Sequence, residues 1–479
     1  MSTTHRRVPE DTTARALREL AERLTGRLVT PGDPDYDRAR RFWNSLLDVR
    51  PRAVVRAGSV QDIDLAVAAA QRMRLPLAVR GGGHGVAGSG AMEDCLLLDL
   101  GRLRQIVVDP ANQLVSVEPG TTIGALDRAT TVHGLAVPLG AVSTAGVSGL
   151  ALGGGMGWLT RSNGLTLDNL DSADVVTATG DHLHASEEEN PELFWGLRGG
   201  GGNFGVVSSF TFGARRMPAL VLAGSLRYRR PHWTGALRAF ARWAHDLPDE
   251  LNPIVTFGFG LGLGPPGDAA GDEPAMAVRF CWVAEDHVAG RALVDELRVD
   301  APPDAEDVAA VPWLDWQSAR DGAFPKGSRG RWQNLPLGRL DDEVVDVVVR
   351  LASGIADRGA GLDLHRLGGA FGRVAEEATA FPNRSAPYWV TSHGVRQDPA
   401  EDEDLTAFTR RVHAELQPFA EHGQYLNLLG PDSAVPGNAD RAVRQVYGRE
   451  KLQRLVRLKD RYDPGNLFRL NLNVAPSRR

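Results

Sequence analysis

The stretch RPRAVVRAGSVQDIDLAVAAAQRMRLPLAVRGGGHGVAGSG, residues 50–90, decides the fold. Ala53–Val55 is a short apolar run with the character of a strand. Ser59 opens a segment in which Val60, Ile63, Val67 and Ala70 share one face at helical spacing. Ser59 with Asp62 has the form of a capping box. Leu75–Val79 is a second apolar strand, and it runs straight into Gly81-Gly82-Gly83-His84-Gly85. Leu96–Leu100 and Gln113–Val117 read as further strands, so residues 53–117 are expected to form one β-α-β-β unit.

Two segments match G-x-G-x-x-G: Gly83–Gly88 and Gly200–Gly205. The pattern marks a dinucleotide fold only between a strand and a helix, because the helix N-terminus holds the pyrophosphate. Here both matches lead into strands, Cys95–Leu100 and Val206–Phe212, and a Rossmann fold is excluded. No G-x-x-x-x-G-K-[ST] is present, so a P-loop is excluded too. Three glycine runs nevertheless sit close together, at 81–85, 153–155 and 199–202. Backbone without Cβ atoms can approach an anion and offer it several N–H groups at once. Three such nests point to a long, phosphate-bearing cofactor.

The rest of the chain sets limits. Its 479 residues allow two to four domains, and its net charge of -6 argues against a nucleic-acid partner. Cys95 and Cys281 are the two cysteines; they form no disulfide framework and have no neighbour at metal-ligand spacing. Residues 1–10 are polar and no long apolar run occurs, so a cytoplasmic protein without a membrane partner is expected. Lys326, Lys451 and Lys459 are the only lysines among 54 basic residues, a GC-rich bacterial bias.

Residues 12–25 and 122–132 read as helices, and Ala173–Ala178 and Val206–Phe212 as strands. The pattern shifts near Pro218. Beyond it, strands at Val255–Leu261, Ala275–Val283 and Tyr388–Ser392 alternate with helices at Val288–Leu297, Glu343–Ala352 and Asp404–Leu416. Acidic, Pro-rich loops are expected at 264–274 and 300–307. This is an antiparallel α+β arrangement. A last helix stops at Asp463-Pro464-Gly465 and leaves an extended tail.

Residues 50–90, GAVSTAGVSGLALGGGMGWLTRSNGLTLDNL (140–170), PELFWGLRGGGGNFGVV (191–207) and YGREKLQRLVRLKDRYDPGNLFRLNLNV (447–474) together resemble the berberine-bridge-enzyme-like flavin oxidases. These belong to the vanillyl-alcohol oxidase / p-cresol methylhydroxylase superfamily, and the bacterial subgroup is the most similar. The middle of the chain matches mainly through GGAFGRV (368–374) and AFPNRSAPY (380–388). The resemblance implies an α+β fold with a two-subdomain FAD-binding domain and an antiparallel-sheet substrate domain. The expected boundaries are 1–215, 216–418 and a C-terminal return to the FAD-binding domain over 419–479.

The resemblance also implies residue roles. His84, closing the R-x-G-G-H loop, is expected to carry FAD covalently. The position of the family's second, cysteinyl link holds Val142, so no second bond is expected. Arg80, Gly81, Gly82, Gly83, Gly85, Ser89, Gly140, Ser143, Gly146, Gly149, Gly153, Gly154, Gly157 and Trp158 are expected along the pyrophosphate and isoalloxazine. Asn169, Gly205, Val206 and Val207 are expected on the adenine and ribose side, and Asn471 and Asn473 where the tail approaches the flavin.

Catalysis needs hydride transfer to flavin N5 and removal of a proton from a substrate OH or NH. A phenol can serve as that base. Tyr447 is the first choice, then Tyr388, with Tyr425 a third; each can equally be a packed core tyrosine. The carboxylate base of plant members has Thr391 in its place, and His365 can contact substrate or sit in the core. The expected reaction is oxidation of a secondary-metabolite alcohol, sugar or amine, with dioxygen reduced to hydrogen peroxide and no metal. An oxidative cyclase or oxygenating enzyme is the first rival. A non-redox isomerase or pericyclase is the second, and an enolpyruvyl reductase sharing the cofactor fold a third.

Overall fold

A computed structural model describes residues 10–86, 93–259, 273–355, 359–430 and 439–477. Ser89 lies outside the described residues. Three sheets organise the chain. The first is four-stranded, in the order Arg27–Val29, Ala53–Arg56, Leu96–Asp99, Leu77–Arg80. Its last three strands run parallel, and the helix Gln61–Met73 makes the crossover. Ile63, Ala66, Val67 and Ala70 of that helix are buried against Val55, Leu96 and Leu98.

The capping box is not what starts this helix. Val60 occupies the N-cap and no side chain caps it. The buried Asp62 carboxylate turns outward from the helix and accepts from the N–H groups of Thr25, Gly26 and Gly58 at 2.8, 2.8 and 2.7 Å. Three backbone donors from two adjoining loops outbid the helix end. The strand expected at Gln113–Val117 also belongs elsewhere. Leu114–Val117 pairs in a five-stranded antiparallel sheet, ordered Ile106–Asp109, Leu114–Val117, Val206–Gly213, Leu170–Val176, His182–Ala185. The β-α-β-β unit therefore ends at Asp99.

The third sheet has seven antiparallel strands, ordered Ala305–Pro312, Leu220–Tyr228, Ala275–Trp282, Leu251–Gly258, Ala360–Arg366, Tyr388–Arg396, Arg329–Leu337. Four helices, Trp233–Trp243, His287–Asp300, Asp342–Ser353 and Asp402–Leu416, cover one face of it. Alternation decides which side chains go where. Leu362, Leu364, Tyr388 and Val390 join the helix-covered core. Asp363, His365 and Thr391 therefore point to the other face. Of the loop expected at 300–307, residues 301–304 are irregular, and 305–307 begin the exposed edge strand Ala305–Pro312.

The C-terminal segment Ala439–Tyr462, two helical stretches joined by a kink at Gly448, returns to the five-stranded sheet: Val446, Leu455 and Leu458 share a core with Phe194, Phe204 and Phe210. Each fully buried large apolar side chain contributes about 1.5–3 kcal/mol. The turn after the helix is fixed by a wholly buried pair, Lys459 to Asp463 at 2.7 Å. Lys459 also donates to Asn203 O and Phe468 O, at 2.9 and 3.0 Å. Asp463 accepts from the N–H groups of Leu467 and Phe468. This network pins the tail beside the glycine run at 199–202. No helix among the described residues is long and apolar enough to cross a membrane.

Candidate functional site

A cavity of about 400 Å³ runs between the glycine loops, the tail and the uncovered face of the large sheet. One end is made of backbone. Arg80 and Gly81–Gly85 line it, with Gly140, Val142, Gly146, Gly149 and Gly153 opposite. Gly205, Val206, Val207 and Asn471 complete this end. The 81–85 loop and the 140–149 loop touch: a Cβ on Gly82 would lie 2.5 Å from Gly146 Cα. Only glycine permits that approach. Among the described residues, the N–H groups of Gly82, Gly83, His84 and Gly85 have no acceptor. Gly149 faces open space, and Gly202 meets only Asn471 Nδ2, at 3.7 Å. The buried Asn471 Oδ1 is also without a partner. Unspent amides with room in front of them suit an extended anionic ligand.

His84 stands at the junction of the two ends. Its Nε2 lies 3.0 Å from Thr144 Oγ1, and the Trp43 ring stacks on it. Burial, with help from Lys326 and against Asp321, pulls the imidazole down to about 4, so it is neutral at pH 7. Val142 lines the cavity, whereas Cys95 and Cys281 lie in separate cores.

The other end is made of side chains. Arg320, Asp363, His365, Thr391, Tyr425 and Asn427 line it, beside the rings of Phe324 and Trp332. Burial pushes the Asp363 carboxyl up, but Arg320 at 3.4 Å and a 2.7 Å bond from Thr256 hold it below the ordinary carboxylate range. His365 is pulled down to about 4 by burial, with Asp363 opposing. Thr391 Oγ1 is buried without a partner. Asp363 and Thr391 face each other across neighbouring strands.

The three tyrosines separate here. Tyr425 lines the cavity. Its oxygen accepts from Gly155 N, Met156 N and Asn427 Nδ2 at 2.9, 3.2 and 3.1 Å. Burial still leaves its pKa raised. Asn334 holds the segment in place, accepting from Tyr425 N and donating to the carbonyls of Tyr425 and Leu428. Tyr447, the first choice from sequence, is a correction: its hydroxyl donates to Gly199 O at 3.0 Å inside the core behind the glycine run. Burial pushes its pKa up with nothing opposing. Tyr388 faces the helix-covered core with Arg366 over its ring, away from the cavity.

Other residues expected at the cofactor do not line the cavity and make contacts within the protein. Asn169 spends both ends of its amide, on Asn163 O and Leu165 O and on Arg215 Nε. A Cβ on Gly154 would meet Tyr425 and Phe381, and one on Gly157 would meet Leu139 O. Trp158 packs on Trp316 under the Arg279 guanidinium. Ser143 donates its N–H and hydroxyl to Asp321, a tie across to the large-sheet segment. Asn473 does not line the cavity, and its buried Oδ1 has no partner.

Sequence reasoning missed Trp43, Arg320, Asp363 and Asn427. The alternation in Ala360–Arg366 carried the signal for Asp363, since a charge between two leucines in a strand must face away from their core. No group of three or more His, Cys, Asp or Glu among the described residues could hold a metal.

Comparison with known proteins agrees with this geometry. An FAD binding domain profile matches residues 51–186, and a berberine and berberine-like profile matches residues 424–475. The chain is 27% identical to an FAD-linked oxidoreductase of Dictyostelium discoideum, over 96% of this chain and 97% of the relative. It is 28% identical to (R)-6-hydroxynicotine oxidase of Paenarthrobacter nicotinovorans, over 95% and 97%. The crystal structure of 6-hydroxy-D-nicotine oxidase from Arthrobacter nicotinovorans superposes with a TM-score of 0.83 at 26% identity, covering 95% of this chain and 98% of that one.

Proposed function

Because this chain is an FAD-linked oxidoreductase of the berberine-bridge-enzyme-like family, we propose that it is an oxidase with FAD bonded to His84. Its substrate is a small-molecule alcohol, sugar or amine, and dioxygen is the final acceptor, leaving as hydrogen peroxide. The observation that carries this reading is the single cavity joining unspent glycine amides, His84 and a polar sheet face.

Bound FAD would supply the two-electron acceptor for substrate hydride. The amides of Gly82–Gly85 would hold its pyrophosphate, and Gly149 and Gly202 leave room for it. Asn471 Oδ1 offers an acceptor nearby. His84 is neutral and so has a lone pair to bond with. Val142 offers none, which makes a single link the expectation.

On the substrate side, Tyr425 is placed to take the proton of the reacting OH or NH. Three N–H donors converge on its oxygen and favour the phenolate, while burial opposes it. The unpartnered Thr391 hydroxyl and the neutral His365 orient the substrate. Asp363 and Arg320 add an acceptor and a donor with no net charge. Phe324 and Trp332 exclude water from the same stretch.

Acid-precipitated protein, digested with trypsin and weighed, should show an FAD-sized increment on the His84 peptide. Incubation with oligosaccharides, hydroxylated nitrogen heterocycles and amines should then give one peroxide per product. Free FAD and unmodified His84 would overturn the covalent reading. Product with oxygen incorporated, or product without any change in flavin colour, would overturn the oxidase reading.

A further inference from the structure

His84 is gripped from two directions by residues that no catalytic role requires. The Trp43 indole stacks on the imidazole with ring centres 5.1 Å apart and planes 24° apart. Thr144 Oγ1 sits 3.0 Å from Nε2. Trp43 is itself fixed at three points. Its N–H donates to Gly83 O at 3.0 Å, its carbonyl accepts from Gly327 N at 2.9 Å, and its indole Nε1 donates to Phe324 O at 3.0 Å. The ring that stacks on His84 is thus held by both the glycine loop and the 324–327 segment.

A neutral imidazole has one N–H and one lone pair, and the partner of one nitrogen decides where the lone pair sits. The Thr144 hydroxyl can either donate or accept at Nε2. The arrangement that serves attachment has Nε2–H donated to it, which leaves the lone pair on Nδ1, a nitrogen with no partner among the described residues. A stacked indole restricts rotation of the ring about its side-chain bonds. We propose that Thr144 and Trp43 are positioning residues for attachment of FAD to His84. Thr144 selects the attacking nitrogen, and Trp43 sets the plane of attack.

The proposal rests on the covalent reading above. The new bond joins Nδ1 to the flavin 8α-methyl carbon. The methyl group and the imidazole Nε2 each give up one proton to solvent, the second relayed through the exposed Thr144 hydroxyl. The electron pair of the broken C–H bond passes to the flavin ring, and dioxygen removes it with two protons as hydrogen peroxide.

The test uses the full-length chain from riboflavin-starved cells, as wild type, Thr144→Val, Thr144→Ser and Trp43→Leu. FAD is added, and the share that stays with the polypeptide after acid precipitation is followed in time. Total FAD bound before acid is measured in parallel. Thr144→Val and Trp43→Leu should bind about one FAD per chain but attach it at least tenfold more slowly than wild type. Thr144→Ser should return to within about threefold, a rescue that a merely structural role would not show. Wild-type attachment rates in Thr144→Val or in Trp43→Leu overturn the role of that residue. Thr144 is an exposed loop residue, so Thr144→Val decides the matter even where Trp43→Leu fails to accumulate. A wild type that releases all its FAD into acid fails the covalent reading itself. A wild type that retains FAD alongside equally fast variants fails only this proposal.

Discussion

The two ends of the cavity are made of different material. At one end peptide groups form most of the lining: Gly82 and Gly146 pack backbone on backbone. At the other end Asp363, His365 and Thr391 project from alternate positions of two strands whose other side chains fill a core. The first end recognises by closeness of approach and tolerates almost no added atom. The second recognises by which side chains occupy a fixed grid, so its chemistry can change without moving the fold.

The strongest attack on this contrast is Gly82→Ala. The new Cβ would lie within 2.5 Å of Gly146 backbone atoms, which cannot swing away. Purified protein should be colourless, and a variant as yellow as wild type would sink the backbone account. Gly202→Ala makes the sharper companion, because its Cβ meets nothing nearer than 3.7 Å. It should fold with an unchanged melting temperature and lose only flavin.

Next comes the side-chain end. Tyr425→Phe should keep its flavin while kcat falls about 10²–10³-fold, the usual loss for a general base. Gly155 and Met156 lose their acceptor, so stability should drop by about 1–3 kcal/mol. Since burial raises the pKa of this phenol, wild-type kcat/KM should climb with pH through the alkaline range. A flat profile in the wild type would remove Tyr425 as the base.

A smaller effect is expected where the two halves meet. Asp127 is buried beside Gln317 and Trp313, whose polar groups offset only part of the cost of burying its carboxyl. Burial raises it to about 7 from 3.8. A raised carboxyl binds its proton more tightly in the folded chain, so it contributes stability at low pH that is lost as pH rises toward 7. Asp127→Asn should therefore stabilise the protein, and more so at pH 8 than at pH 5, by roughly 2–3 kcal/mol. Denaturant melts at the two pH values check the sign; an equal shift at both contradicts it.

Least of all should happen at Tyr447. Tyr447→Phe loses one bond to Gly199 O, worth about 1 kcal/mol, and kcat should stay within about twofold. A hundredfold loss would reverse the assignment of the two tyrosines.

The same division of material governs what the sequence reveals. Gly81–Gly85 is conspicuous because a backbone-made site needs residues without side chains, and such residues are rare in runs. Partnership is harder to see. Leu114–Val117 shows its strand character but not its sheet, because alternation names a face and never a neighbour. The strand at Ala305–Pro312 is hidden because an exposed edge strand has no apolar alternation. Tyr425 and Tyr447 differ only in what packs around them, as do Asn169 and Asn471. Asp62 could be placed as a cap only until its competing donors, Thr25, Gly26 and Gly58, were known.

The tail beside the glycine run has a consequence for how the protein is made. Asn471 and Leu472 line the same cavity as Phe42 and Trp43. Phe42 and Trp43 must therefore wait for Asn471 and Leu472, which are synthesised much later. While the large sheet is still being translated, the cavity lacks a wall. Loading of the cofactor accordingly needs the segment around Asn471, and a ribosome that stalls in the last helix yields a cavity without that wall.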